Sequence, residues 1–133
     1  MIERAALALV IIAVASAAWM LYQRAAVRRL SQTAPVDPLF AHIPRGTPVV
    51  LYFTTPFCAP CKMIQQPALE RLKGQMGDGI AIVQIDATQD TTAADRWGVI
   101  GAPTTFVLDA EHRVRHINRG VALTDQLARQ LAA

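Results

Sequence analysis

Cysteine is scarce in this chain: two residues in 133, Cys58 and Cys61. That excludes a scaffold stapled by several disulfides. The lack of a second C-x-x-C also removes the four-ligand zinc site that such a pair would half supply. Aromatic residues make up only 6% of the chain, and none interleave with a basic stripe, so nucleic-acid binding has no footprint. Charge is missing altogether from Ala5 to Tyr22. As a helix, that stretch rises about 27 Å, close to the hydrocarbon thickness of a bilayer. Net charge is missing from Thr47 onward, where eight Lys and Arg face eight Asp and Glu. The overall +3 therefore belongs to the N-terminal part. Arg24, Arg28 and Arg29 there suit anionic lipid headgroups.

The first 46 residues read as a membrane attachment. Residues 1–4 form a short flank and residues 5–22 a transmembrane anchor, with Trp19 and Tyr22 placed where aromatic rings favour the interface. Ala15-Ser16-Ala17 has the small-x-small form of a signal-peptide cleavage site. The apolar run continues past it to Tyr22, which fits an uncleaved single-pass span better. The arginines after the span outnumber Arg4 before it, so the positive-inside rule places the C-terminal domain on the cytoplasmic face, with the outer face as the alternative. Residues 23–46 read as a basic juxtamembrane segment and linker, because Ser31–Gly46 carries three prolines and little periodicity. Within it, Leu39 to Ile43 is expected to dock as one helical turn, with His42 as a surface or packing residue.

Residues 47–133 read as one domain organised around the cysteine pair. Val49 to Phe53 is a short apolar run rich in β-branched and aromatic residues, as in a strand buried on both faces. After Cys58 the period changes: Cys61, Ile64, Ala68, Leu69 and Leu72 draw one stripe down a helix. Cys58 thus sits where a strand turns into a helix N-terminus, whose free N–H groups and dipole favour a thiolate. Cys58 is the expected nucleophile, and Cys61, one turn on, the resolving thiol. Pro60 fits a first helical turn and, with Phe57 and Ala59, tunes the loop. The redox-active pair needs no other cofactor. Two alternatives stand beside reduction: thiol oxidation or isomerisation outside the membrane, and a copper carrier using Cys58, Cys61 and a histidine.

Further along, Ile80 to Asp86 reads as a second buried strand, and Pro67 is expected to kink the helix between the two strands. Asp90 caps a short helix that ends before Gly98. Thr104 to Leu108 and Arg113 to Asn118 read as antiparallel strands, with His112 and His116 as exposed non-ligand residues. Thr124 is expected to cap a last helix that buries Leu127 and Leu131.

From Pro48 onward the chain resembles the thioredoxin family. The resemblance lies in V-V-L-Y-F-T-T-P-F-C-A-P-C-K-M-I, with Pro67 a little further on, in R-W-G-V-I-G-A-P-T-T-F-V-L, and in Gly120 ahead of the final helix. It implies an α/β fold with a central mixed sheet flanked by helices. This version is shortened, because the linker leaves no room for the family's first strand and helix. It implies a protein-disulfide reductase, monomeric, served by an unidentified reductase or membrane electron donor. It also implies that Pro103 is cis and, with Ala102 and Thr104, clamps the substrate chain, with Gly120 and Trp97 in support. Three departures stand out. The family's buried acid falls on Tyr52 and its lysine partner on Gln84, while Phe57 replaces the usual tryptophan. The proline of the active-site helix lies six residues after Cys61, where the family has five.

Overall fold

The structure is a computed structural model and describes residues 1–34 and 37–132. Helix α1 runs unbroken from Ile2 to Thr33 and is long and apolar enough to cross a membrane, with a mean hydropathy of 2.2 over its most apolar window. The helix takes in the basic juxtamembrane segment and the first three residues, Ser31 to Thr33, of the expected linker. The helix continues because Gln23, Val27, Leu30 and Ala34 recur at helical spacing on one face. That face packs on the domain, with Val27 and Leu30 against the Trp97 cluster and Ala34 buried within it. Pro35 and Val36, also part of the expected linker, lie outside the described residues. Beyond them Asp37 caps a 3-10 turn, Pro38–Phe40, by accepting the Leu39 N–H at 3.0 Å. Phe40 is buried, so the Leu39–Ile43 patch docks as expected.

Four strands form one sheet in the order β2-β1-β3-β4. Strand β1 (Val49–Thr54) pairs in parallel with β2 (Ala81–Asp86) and antiparallel with β3 (Thr104–Leu108), which pairs antiparallel with β4 (Val114–Arg119). Every residue of β1 is buried. Alternation divides them: Val49, Leu51 and Phe53 join Phe40, Trp97 and Phe106 on one face, while Val50 and Tyr52 join the cysteines, Leu69, Leu72 and Leu127 on the other. Strand β2 departs from the buried strand expected. It lies at the sheet edge with β1 as its one partner and is half-buried, because only its inner side is covered.

The connection from β1 to β2 is a π-helical turn, Cys61–Gln65, leading into α2 (Gln66–Met76). Pro67 follows that turn within one continuous helical run, where it lacks the N–H that would serve the turn before it. The irregularity therefore precedes the proline, and the helix runs on to Met76. Helix α3 (Thr91–Arg96) is capped by Asp90, which accepts the Ala93 N–H at 3.0 Å, and Gly98 beyond it has φ +67°.

Two smaller expectations fail. His112, at the β3–β4 turn, is buried with its ring centroid 5.7 Å from that of Phe40, because the turn tips it beneath the 3-10 segment; His116 is half-buried. Thr124 does not cap α4 (Thr124–Ala132) but is its first residue, and its hydroxyl donates to Ala68 O at 2.8 Å, tying α4 to α2. Leu127 is buried beneath that helix.

Candidate active site

The end of β1 delivers the cysteines. After Thr54 the chain turns through Thr55, Pro56 and Phe57, and the Cys58 N–H donates to Thr55 O at 3.4 Å. Cys58 and Cys61 are joined as a disulfide with their Cα atoms 5.2 Å apart. Cys58 is 9% exposed and Cys61 fully buried, so an incoming partner reaches the Cys58 sulfur and not its neighbour. The Cys61 N–H donates to Cys58 Sγ at 3.2 Å. On reduction that amide, one of the unpaired donors of a helix start, stabilises a Cys58 thiolate. Ala59 and Pro60 are exposed between the sulfurs.

Opposite the pair stands the loop ahead of β3. The Ala102–Pro103 peptide bond is cis. Ala102 packs against the cluster that holds both cysteines. Thr104 is buried and its hydroxyl donates to Gly101 O at 2.6 Å, while the Gly120 N–H donates to Pro103 O at 2.9 Å. Gly120 has φ +98°, a conformation that L side chains rarely adopt, and so the chain needs glycine where β4 turns to meet the loop. Around the cleft Phe57, Ile100 and Met63 are 99%, 83% and 77% exposed. Large apolar side chains held out in water beside a reactive sulfur make a surface for another polypeptide.

Gln65 escaped the sequence reading. The stripe expected Ile64 inside, but Ile64 is exposed and Gln65 is fully buried. The π turn rotates the helix face: the Gln66 N–H reaches back five residues to Cys61 O, which absorbs the extra residue between Cys61 and Pro67. Gln65 Nε2 then donates to Ala122 O at 2.9 Å, and Oε1 accepts the Ala122 N–H at 2.8 Å. The six-residue spacing to Pro67 was the available signal.

Trp97 does not join the cysteines. It lies on the opposite face of the sheet, donating from Nε1 to Asp37 Oδ2 at 3.0 Å, and supports the fold. Asp37 also takes the Arg96 guanidinium at 2.9 and 3.1 Å. Burial alone would raise its carboxyl, yet the bonds from Arg96, Leu39 and Trp97 hold it below the usual range. Tyr52 and Gln84 are register partners across β1 and β2, so the two family positions do face each other without a charge pair. The Tyr52 hydroxyl is buried with no hydrogen-bond partner among the described residues, and burial pushes its pKa up. Among the described residues no group of three His, Cys, Asp or Glu could hold a metal ion, so the copper-carrier reading lacks its histidine.

Comparison with known proteins agrees with this geometry. The thioredoxin family model matches residues 39–133. A thioredoxin of Bacillus subtilis is 45% identical over 60 residues, covering 45% of this chain and 57% of that protein. A chloroplastic thioredoxin Y of rice is 30% identical over 84 residues, 63% of this chain and 49% of its own length. The chain thus spans roughly half of the curated relatives it matches. Among solved structures, Fasciola hepatica thioredoxin superposes with a TM-score of 0.58 at 20% identity, covering 66% of this chain and 81% of that one. StoA from Bacillus subtilis gives 0.55 at 16%, covering 67% and 85%. With the dithiol at a helix start, a cis-proline loop facing it and a family match over most of its length, this chain belongs to the thioredoxin family.

Proposed function

We propose that the protein is a membrane-anchored thiol-disulfide oxidoreductase that reduces protein disulfides. The observation that carries this is the Cys61 N–H donated to Cys58 Sγ, in a cluster that Ala102 of the cis-proline loop closes. The backbone of Ala102 and Thr104, either side of Pro103, offers the extended segment on which a substrate chain pairs. The Cys58 thiolate attacks one sulfur of the substrate disulfide. That bond breaks, a mixed disulfide forms, and the leaving substrate sulfur takes up a proton. Cys61 then loses its proton and attacks Cys58, re-forming the internal disulfide and expelling the second substrate thiol. Two electrons pass to the substrate, so a reductase or membrane donor must reset the pair.

Helix α1 serves as the single-pass anchor, and the arginines following Tyr22 support a cytoplasmic domain by the positive-inside rule. A reducing compartment keeps the pair as a dithiol, consistent with work as a reductant. The test is the equilibrium potential of the Cys58/Cys61 pair in the full chain held in detergent. The expected value is about −270 mV, and one near −120 mV would overturn the direction of flow and favour an oxidant outside the membrane.

A further inference from the structure

Between α1 and the domain lies a cavity of about 250 Å³, bounded by Tyr22 and Arg29 of α1 on one side and by Asp95, Arg96 and Arg119 on the other. Its charges are unbalanced. Arg96 is neutralised by Asp37, and Asp95 contributes one carboxylate. Arg29 and Arg119 form no ion pair among the described residues. Arg119 is half-buried: Nη1 reaches Gly98 O at 3.4 Å, and Nε is buried without a partner among the described residues. A half-buried guanidinium with one N–H left without a partner offers a planar donor fork, and beside a second cation it matches the oxygens of a phosphate.

Position along α1 decides which phosphate. The uncharged stretch ends at Tyr22, and Arg29 lies about 10 Å further along the helix axis. The polar layer outside the hydrocarbon core is about 5–7 Å thick on each side. The Tyr22 end of the cavity therefore sits at headgroup depth when residues 5–22 span, and Arg29 lies just outside that layer, from where a long side chain snorkels back to it. The cavity also lies at the end of the sheet that carries the dithiol, because Arg119 pairs in register with Thr104 next to Pro103.

We propose that this cavity seats the phosphate of an anionic phospholipid between Arg29 and Arg119. The domain is thereby fixed against the bilayer with its cis-proline loop turned toward the membrane surface. The proposal rests on α1 remaining as an uncleaved anchor.

The test uses the full chain in a non-ionic detergent, presented with equal amounts of phosphatidylglycerol and phosphatidylcholine and weighed by native mass spectrometry. The expected result is preferential retention of one phosphatidylglycerol. Arg29→Gln and Arg119→Gln should each lower that preference about fivefold, whereas an Arg24→Gln/Arg28→Gln pair, outside the cavity, should lower it far less. Arg29 is exposed on α1, so Arg29→Gln carries the test even if Arg119→Gln fails to fold. Equal retention of both lipids would overturn the proposal, as would equal loss in the Arg24/Arg28 variant, which marks diffuse attraction. Displacement by millimolar inorganic phosphate would assign the site to a free anion and overturn the lipid. The same spectra report the intact mass: a chain lacking its first residues sinks the anchor and the proposal together, while a full-length chain without lipid preference sinks the proposal alone.

Discussion

The carboxamide of Gln65 grips the backbone of Ala122 on both sides, donating to its carbonyl at 2.9 Å and accepting from its N–H at 2.8 Å. Both partners are buried, so no water replaces either bond. The contact joins the turn after Cys61 to the loop between β4 and α4, two residues from Gly120, whose N–H holds Pro103 O. Gln65→Leu keeps the bulk and strands a donor and an acceptor. Unfolding in urea should show a loss of about 2–4 kcal/mol, the cost of two unsatisfied buried groups. Disulfide reduction by the variant should also slow, because the cis-proline loop loses its tie to the dithiol helix. Unchanged stability would mean that water reaches Ala122.

Asp37 links the 3-10 turn to α3 through Arg96 and Trp97. Its carboxyl is held below the ordinary range in the folded chain, so the folded state binds its proton less readily than the unfolded state does. The stability it contributes is complete above the unfolded value of about 3.9 and lost as pH falls through the folded value. Asp37→Asn should therefore cost about 1–3 kcal/mol at neutral pH. The gap from the parent should narrow once the pH drops below about 4, as followed by chemical denaturation across that range. A gap independent of pH would show that shape, not charge, holds the turn.

Much of the fold was legible in the sequence, for reasons that name particular residues. The Val49–Phe53 run, the stop at Gly98 and the cysteine spacing are local signals, and each landed where the pattern put it. What escaped depended on tertiary partners. The inward turn of Gln65 needed Ala122, which lies 57 residues away in sequence. Burial of His112 needed Phe40 to cover it, and the length of α1 needed the sheet to receive Val27 and Leu30. The prolines of the linker were no obstacle, because α1 ends at Thr33, ahead of all three. Resemblance alone groups Trp97 with the site, and its ring lies on the other face.

Tyr52 fills the position of the family's buried acid with a phenol whose hydroxyl has no partner among the described residues. Burial raises its pKa, so it stays neutral across the working pH range and does not serve as a carboxylate base. Tyr52→Phe removes a buried hydroxyl that makes no hydrogen bond of good geometry among the described residues and whose polar neighbour is Thr54. The variant should be as stable as the parent or up to about 1 kcal/mol more stable. Its rate of disulfide reduction should be unchanged from about pH 6 to 9, below the raised tyrosine value. A rate that falls only at the resolving step, seen as accumulation of the mixed disulfide, would show that the hydroxyl handles the Cys61 proton.

The difference in exposure between the two sulfurs gives the sharpest test of mechanism. Cys58 is slightly exposed and Cys61 fully buried, so on the proposed mechanism the first bond forms at Cys58 and Cys61 acts second. Cys61→Ser should attack a substrate disulfide and stop, because a hydroxyl does not displace the substrate thiol. A covalent adduct should appear on a non-reducing gel at one substrate per chain and disappear with dithiothreitol, with turnover lost. Cys58→Ser should give neither adduct nor turnover, since the remaining thiol is shielded. An adduct through Cys61 in that variant would reverse the assigned roles, and sustained turnover by Cys61→Ser would mean that an external thiol resolves the intermediate.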